Sequence, residues 1–261
     1  MNFSRRSLLS IASASLLPAA LPAAKASKNY WVYFGTYTRK TSKGIYVARL
    51  DTATGKVSEP QLAGEVSNPS FLAIHPNNRN LYAVSEMAAP GGGTGGALTA
   101  FRIDASSGKL TRLNTVSTKG SGPCHINVDK TGHAIVVANY NSGSAAAMAL
   151  NADGTLRESE SFVQHKGTSI DRQRQQGPHA HSANISFDNR FVIVADLGLD
   201  QVLVYKFDPA KAVITPNEPP FTRVKPGSGP RHFVFHPKGR HAYVINETSK
   251  FRCLISVDER R

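Results

Sequence analysis

A strand–turn–strand unit recurs through this sequence at nearly constant intervals. The units open at Pro69, Pro123, Pro178 and Pro230, so the intervals are 54, 55 and 52 residues. Short runs rich in Val, Ile, Ala and Tyr alternate with Gly, Pro, Asn and Asp turns, as expected for strands. A period of this size with about four short strands per unit is typical of a β-propeller. The sequence therefore predicts an all-β fold, a β-propeller of four-stranded blades, because an irregular sandwich would not give four phased copies.

The number of blades follows from how the first and last units align with the others. Tyr30–Thr38 aligns with the second strand of the next unit, Leu81–Glu86, so the first blade lacks its innermost strand. The residues after Glu247 resemble the third strands of earlier units only loosely. We therefore expect about four to five blades, an open ring with two unpaired sheet edges, and a propeller domain at 27–261 that is truncated at its C-terminus.

Residues 1–26 have the features of an export leader. Adjacent Arg5 and Arg6 precede an apolar stretch, and Ala24-Lys25-Ala26 fits an Ala-x-Ala cleavage site. The pattern predicts a twin-arginine signal peptide, with an ordinary secretory signal as the alternative. Since no uncharged apolar segment of about 18 residues follows, we expect a periplasmic or secreted protein with no membrane contact once the leader is removed.

The formal net charge of +13 raises the question of nucleic-acid binding. The Lys and Arg residues are scattered singly through turns and form neither a basic helix nor a stripe, so we expect no nucleic-acid partner. A cationic surface would instead attract a small anionic molecule. The two cysteines, Cys124 and Cys253, form no Cys-x-x-Cys motif and are expected to be unpaired.

Polar side chains gather at one end of the predicted hairpins. The start of a blade's first strand and the end of its second strand are neighbours, because the two strands are antiparallel. We expect these ends to converge on one funnel, the default location for a site. The residues concerned are Ser70, Glu86, His125, Asn139, Asn141, His179, His181, Asp196, Arg231, His232 and Glu247. Four other histidines, His75, His133, His236 and His241, are expected to be structural.

Each candidate has a plainer alternative. Arg231 has the strongest case, since an arginine beside a channel is costly unless it meets an anion. Asp196 and Glu247 can instead cap turn amides, and His179 or His181 can instead pack inside a blade. Zinc held by His125, His181 and a carboxylate is conceivable. The ligands would come from separate blades without local spacing, so we expect no metal and no cofactor.

Several motifs, taken in order along residues 30 to about 247, carry a resemblance to a known family. They are Phe34-Gly-Thr-Tyr-Thr38, Asn68-Pro-Ser-Phe-Leu-Ala73, Leu81-Tyr-Ala-Val-Ser-Glu86, Pro123-Cys-His125, Val137-Ala-Asn-Tyr140, Pro178-His-Ala-His181, Ala195-Asp-Leu-Gly198 and Gly229-Pro-Arg-His232. With them the chain resembles the bacterial lactonases, seven-bladed propellers typified by 6-phosphogluconolactonase and related to the fungal carboxymuconate-lactonizing enzymes. The resemblance implies seven blades in an intact protein, which we expect to be a monomer when complete.

The resemblance also implies hydrolysis of an anionic sugar lactone such as 6-phosphogluconolactone, without a required metal. That chemistry needs a base for water and donors for an oxyanion. We assign the base to Glu247 or to a His181–Asp196 pair, and the carbonyl or anion contacts to Arg231 and His125. His179, His232, Glu86 and Asn139 are expected to bind substrate. Two alternatives remain: a lactonising or delactonising enzyme acting on a non-phosphorylated acid, and a non-catalytic scaffold propeller.

Overall fold

The computed structural model of the chain describes residues 28–86, 95–159, 161–249 and 252–256. The predicted leader at 1–26 and most of the glycine-rich loop at 91–96 lie outside these ranges. Within the described ranges the secondary structure consists of eighteen β-strands and no helix. The predicted all-β class is therefore confirmed. No helix of the described part is available to cross a membrane.

The strands form five antiparallel sheets, each a meander of consecutive strands. The first three blades contain β1 (Asn29–Phe34), β2 (Gly44–Asp51), β3 (Gln61–Glu65); β4 (Leu72–Ile74), β5 (Asn80–Ser85), β6 (Ala97–Ile103), β7 (Leu110–Ser117); and β8 (Pro123–Val128), β9 (Ala134–Asn139), β10 (Ser144–Ala149), β11 (Ser161–Gln164). The last two contain β12 (Ala180–Ile185), β13 (Phe191–Asp196), β14 (Gln201–Asp208), β15 (Val213–Arg223); and β16 (Pro230–Phe235), β17 (His241–Asn246), β18 (Arg252–Ser256).

The first strands of successive blades are in contact. β4 contacts β8, β8 contacts β12, and β12 contacts β16. Each of these strands pairs with the second strand of its own blade, so the rest of the sheet extends outward from it. This arrangement is the propeller that the repeat predicts, with first strands on the inside.

Neighbouring blades pack face to face because side chains alternate along a strand. In β9, Ala134, Val136 and Ala138 pack against the fourth blade. Ile135 and Val137 of the same strand pack against the second blade. Both faces of such a sheet are buried, which is why the strands of the middle blades read as unbroken apolar runs.

The end blades are buried on one face only. In β17, Ala242 and Val244 are buried against the fourth blade, whereas Tyr243 and Ile245 are 42% and 49% exposed. In β1, Tyr30 is 52% exposed. Among the described residues β1 pairs only with β2, so the first blade has three strands, as the alignment with second strands predicts.

Two details of the sequence interpretation are wrong. The segment after Glu247 is a regular third strand, because β18 pairs with β17 from His241↔Ser256 to Ile245↔Arg252. The apolar side chains of Cys253 and Ile255 pack against the buried cluster between the fourth and fifth blades, which stabilises the strand.

The second correction concerns Pro178. Pro123 pairs with Asn139, and Pro230 pairs with Asn246. The residue that pairs in the same way with Asp196 is Ala180, not Pro178. The proline therefore precedes β12 by two residues, and the blade repeat is less regular than the proline spacing implies.

Candidate active site

The open ends of the inner hairpins in the third, fourth and fifth blades contain the same irregularity. The register of β8 and β9 shifts between Pro123 and His125, and equivalent shifts occur between Ala180 and Ser182 and between Pro230 and His232. The extra residues, which have no cross-strand partner, are Cys124, His181 and Arg231. A β-bulge re-aims a side chain at the end of a ladder. Three successive blades thus present one unpaired residue each at the same end of the propeller, which forms the mouth of the propeller.

Arg231 and Glu247 lie together at the mouth, as the hairpin geometry predicts. Nη1 of Arg231 donates a hydrogen bond to Oε2 of Glu247. Nη2 of Arg174 lies 2.5 Å from Oε1 of the same carboxylate. Glu247 therefore accepts one arginine on each oxygen. The Arg231 side chain remains 40% exposed and that of Arg174 42% exposed, so neither side chain is closed off from solvent by the pairing.

Sequence reasoning missed Arg174, which lies in the loop between β11 and β12. The loop is folded by its own hydrogen bonds, from Ser169 N to the carbonyl of Gln175 at 3.0 Å and from Gln175 N to the carbonyl of Asp171 at 2.8 Å. The buried Gln175 side chain also donates to the carbonyl of Leu197 at 2.8 Å. A basic loop placed directly before a hairpin opening was the available signal, but it belongs to no repeat.

The carboxyl group of Glu247 is held in its charged form. Burial alone would raise its pKa, but hydrogen bonds from Arg174 and Arg231 outweigh burial and hold the pKa below its ordinary value. Arg174 also donates to the hydroxyl of Tyr140 at 3.2 Å. This carboxylate is consequently better suited to orienting two guanidinium groups than to accepting a proton at neutral pH.

Three histidines from three blades meet beside Arg231. The ring centroids of His181 and His232 are 5.1 Å apart, and those of His125 and His232 are 6.1 Å apart. Burial, followed by the nearby His232 and His181, lowers the pKa of His125 to about 3. Burial, followed by Arg231 and His232, lowers the pKa of His181 to about 4.

All three imidazoles are consequently neutral at pH 7. Burial and the charge of Arg231 also lower the pKa of His232, with a smaller opposing effect from Glu247. Nδ1 of His125 accepts a hydrogen bond from the backbone N–H of Ala183 at 3.3 Å, so its proton lies on Nε2. The buried Nδ1 of His181 has no hydrogen-bond partner in the described part of the chain. A buried polar atom without a partner is uncommon, and an ordered water or a catalytic role is a usual explanation for one.

The predicted His181–Asp196 pair does not form. Oδ2 of Asp196 lies 2.6 Å from Nδ1 of His165, and both side chains are fully buried. Nε2 of His165 then meets the hydroxyl of Tyr205 at 3.0 Å. Oδ1 of Asp196 accepts hydrogen bonds from the backbone N–H groups of His179, Gly198 and Leu199 at 2.8, 3.0 and 3.2 Å. The plainer alternative for Asp196, a cap for turn amides, is the one observed.

The remaining candidates differ in exposure: His179 and Glu86 are partly exposed, whereas Asn139 is buried. Nδ1 of His179 bonds the carbonyl of Tyr140 at 3.0 Å, and the two rings stack at 4.6 Å. Oε2 of Glu86 accepts the Tyr37 hydroxyl at 2.7 Å on the second blade. Asn139 has no exposed surface and donates to Ser144 Oγ at 3.2 Å, while its Oδ1 atom has no hydrogen-bond partner among the described residues, so its contact with substrate stays a prediction.

The other chemistry-bearing residues are structural. Burial, with a smaller contribution from Glu86, raises the pKa of Cys124 to about 12, and its thiol faces the carbonyl of His181 at 3.4 Å. Nδ1 of His75 accepts Asn77 N at 3.0 Å within its turn. His236 does the same for Lys238 at 3.1 Å. Among the described residues no cluster of three or more His, Cys, Asp or Glu side chains is arranged to hold a metal ion.

The protein is a β-propeller whose blades are antiparallel sheets. Arginine, carboxylate and imidazole groups form a polar site at one end of its axis. Residues 31–257 match the family model described as "Lactonase, 7-bladed beta-propeller". The chain therefore belongs to the seven-bladed β-propeller lactonase family.

The chain is similar to known proteins both in sequence and in structure. A 6-phosphogluconolactonase of Bacillus subtilis is 38% identical over 220 residues, which cover 84% of this chain and 60% of the relative. One of Formosa agariphila is 35% identical, covering 84% of this chain and 62% of the relative. The solved periplasmic gluconolactonase of Pseudomonas aeruginosa superimposes with a TM-score of 0.82 at 35% identity, covering 88% of this chain and 65% of that one. The chain thus spans slightly less than two thirds of the length of each of these relatives.

Proposed function

We propose that this protein hydrolyses a sugar lactone to the corresponding aldonic acid. The observation that carries the proposal is the clamp formed by Arg174, Glu247 and Arg231 beside the neutral imidazole of His181. Lactone hydrolysis needs a group that takes a proton from water and donors for the oxyanion. The mouth of the propeller supplies both, and two relatives are named 6-phosphogluconolactonase.

The two arginines are suited to binding the carbonyl oxygen of the lactone. Each arginine binds Glu247 through one nitrogen, and its side chain is 40% or more exposed, so its further N–H groups can meet an oxygen atom of the substrate. A planar, permanently charged donor stabilises the negative charge that develops on the carbonyl oxygen. Glu247 fixes the two groups in advance, which removes the cost of orienting them during the reaction.

The role of general base, which accepts a proton from the attacking water, is best assigned to His181. Its imidazole is unprotonated at neutral pH, whereas Glu247 is held in its charged form by two arginines. Water attacks the carbonyl carbon while its proton passes to the imidazole. The ring C–O bond then breaks, and the ring oxygen takes that proton to become a hydroxyl group. One water is consumed, and no other reactant is required. His232 and Glu86 are assigned to substrate contacts.

The phosphorylation state of the substrate separates two candidates. The names of the relatives favour 6-phosphogluconolactone. A non-phosphorylated sugar lactone is the second candidate, because Glu247 partly neutralises both arginines and the three described imidazoles are uncharged at pH 7. The periplasmic gluconolactonase of Pseudomonas aeruginosa and the predicted export leader of this sequence support it, since an exported enzyme does not meet cytoplasmic sugar phosphates.

Export is part of the same proposal. Arg5, Arg6 and the Ala-x-Ala motif at 24–26 support a twin-arginine signal peptide and a periplasmic location. Cell fractionation of a tagged protein, with Arg5 and Arg6 replaced by lysine in a matched variant, tests it. Retention of the variant in the cytoplasm is the expected result, and equal export of both forms would point to an ordinary secretory signal.

The activity is tested by measuring hydrolysis of 6-phosphogluconolactone and of gluconolactone by the protein, Arg231→Ala and Glu247→Gln. Arg240→Ala, at an exposed residue in a turn at the far end of the same hairpin, is the control. Both site variants are expected to lose at least tenfold in kcat/KM, about 1.4 kcal/mol of barrier. Smaller losses would remove the clamp from the mechanism. Binding of lactone without turnover would favour a scaffold propeller.

A further inference from the structure

A buried carboxylate binds the two loops that lead to Arg174 and Arg231 and forms no described hydrogen bond or ion pair with either arginine. Asp200 follows β13 in the turn to β14 and is 3% exposed. Its Oδ2 atom accepts hydrogen bonds from Ser169 Oγ at 2.5 Å and from the backbone N–H of Gly227 at 2.7 Å. Its Oδ1 atom accepts from the backbone N–H of Gly229 at 2.8 Å. Three donors from two separate loops thus converge on one side chain.

One of these loops carries Arg174. Ser169 opens the turn that the hydrogen bond from its backbone N–H to Gln175 closes at 3.0 Å, and Arg174 lies inside that turn. The bond from Ser169 Oγ to Asp200 therefore fixes the base of the loop that presents this guanidinium. Charge-assisted hydrogen bonds to a buried carboxylate are among the stronger ones in proteins.

The other loop leads directly to Arg231. Gly229 precedes this arginine by two residues and adopts a positive φ of 62°. Its N–H is bound by Asp200, while its carbonyl accepts the backbone N–H of Glu247 at 2.7 Å. Asp200 is consequently linked through Gly229 to the backbone of Glu247 and, across Pro230, to Arg231.

We infer that Asp200 is a positioning residue that sets the placement of Arg174 relative to Arg231 by tying both of their loops to one carboxylate. The inference rests on the proposed function, since it assigns a purpose to the clamp. Precise placement of catalytic groups depends on a supporting shell of hydrogen bonds. Asp200 itself contacts neither arginine in this arrangement and acts only through Ser169, Gly227 and Gly229.

The sharpest test replaces Ser169, because Ser169→Ala frees the loop of Arg174 and leaves the bonds from Asp200 to Gly227 and Gly229 in place. We expect kcat to fall about tenfold with KM within about twofold, a barrier change of about 1.4 kcal/mol. In an Arg174→Ala background the same substitution is expected to have no further effect, since Ser169 acts through Arg174. Additive losses would overturn the inference.

The matched control is Ser106→Ala. Ser106 Oγ donates to Asp104 at 2.6 Å in an exposed turn after β6, so the substitution removes the same kind of hydrogen bond away from the mouth. Its kinetics are expected to match those of the unmodified protein. A tenfold loss in this control would show that such turns affect activity generally, which would contradict a specific role for Asp200.

A second measurement needs no activity. Hydrogen exchange reports local opening, and Asp200→Asn is expected to speed exchange in both segments 166–179 and 225–232, whereas Ser169→Ala speeds it only in 166–179. Unchanged exchange at 166–179 in Asp200→Asn would overturn the inference. If the protein hydrolyses neither lactone, the proposed function fails, and the exchange pattern still decides whether Asp200 ties the two loops together.

Discussion

Nη2 of Arg174 lies 2.5 Å from Oε1 of Glu247, although 73 residues separate the two in the chain. The contact joins the loop before β12 to the end of β17 across the mouth of the propeller. Exposed ion pairs contribute little to folding, typically below about 1 kcal/mol, and these side chains are 42% and 24% exposed. We therefore expect the pair to matter for activity rather than for stability.

Arg174→Ala should lower kcat/KM for the lactone at least tenfold, because one of the two guanidinium donors is lost. The melting temperature should change little. Arg172→Ala is the matched control, since Arg172 is exposed in the same loop. Steady-state kinetics and thermal melts of both variants check the expectation. Equal activity of Arg174→Ala and Arg172→Ala would exclude Arg174 from the site.

Asp196→Asn should destabilise the fold while acting on catalysis only indirectly. The substitution replaces by an amide the carboxyl group that lies 2.6 Å from His165 Nδ1 in a fully buried pair. Disrupting such a pair costs about 3 kcal/mol. Urea unfolding of Asp196→Asn and of Asp188→Asn, whose carboxylate is 45% exposed, measures the difference. Normal stability combined with lost turnover would restore Asp196 as a catalytic candidate.

Gly198→Ala should also destabilise the protein. A Cβ atom at Gly198 would lie 1.9 Å from the carbonyl oxygen of Gly177 and 3.0 Å from the backbone nitrogen of His179. Backbone atoms cannot yield as a flexible side chain does, so a loss of about 3 kcal/mol is expected. Gly177→Ala is the control, because a Cβ there meets nothing within 4 Å. Similar melting temperatures for the two variants would contradict the close approach.

Acidification should destabilise the protein through its buried histidines. In the folded state the pKa values of His125 and His181 are about 3 and about 4, against an ordinary 6.5. At pH values between the folded-state pKa and 6.5, the unfolded chain binds more protons than the folded chain. The free energy of unfolding therefore falls as pH decreases from about 6.5 towards 4. Each pKa unit corresponds to about 1.4 kcal/mol.

Urea unfolding at pH 7.5 and pH 5 measures this dependence. His125→Phe, which places in the third blade the residue type found at the equivalent Phe71 of the second, should lessen it. The same substitution at His133, exposed in a turn, should leave it unchanged. If His125→Phe and the unmodified protein lose equal stability on acidification, burial of neutral His125 is not its source.

The sequence predicted those parts of the site that follow from hairpin topology. Arg231, His232 and Glu247 lie at one hairpin opening because antiparallel pairing requires it, and repetition of the blade brings His125 and His181 to the same mouth. Arg174 was missed because its loop has no period. The partner of Asp196 was wrong because His165 follows the outermost strand of the preceding blade, and no pattern in the sequence connects positions 165 and 196.

The bulges at Cys124, His181 and Arg231 have a consequence for how such proteins diverge. A residue without a cross-strand partner can be exchanged with little effect on the strand pairing around it. In this chain the same location holds a thiol in one blade, an imidazole in the next and a guanidinium in the third. Substitutions at these three positions, one per blade, would therefore change the chemistry presented by the blades while leaving the cross-strand pairs of the backbone in place.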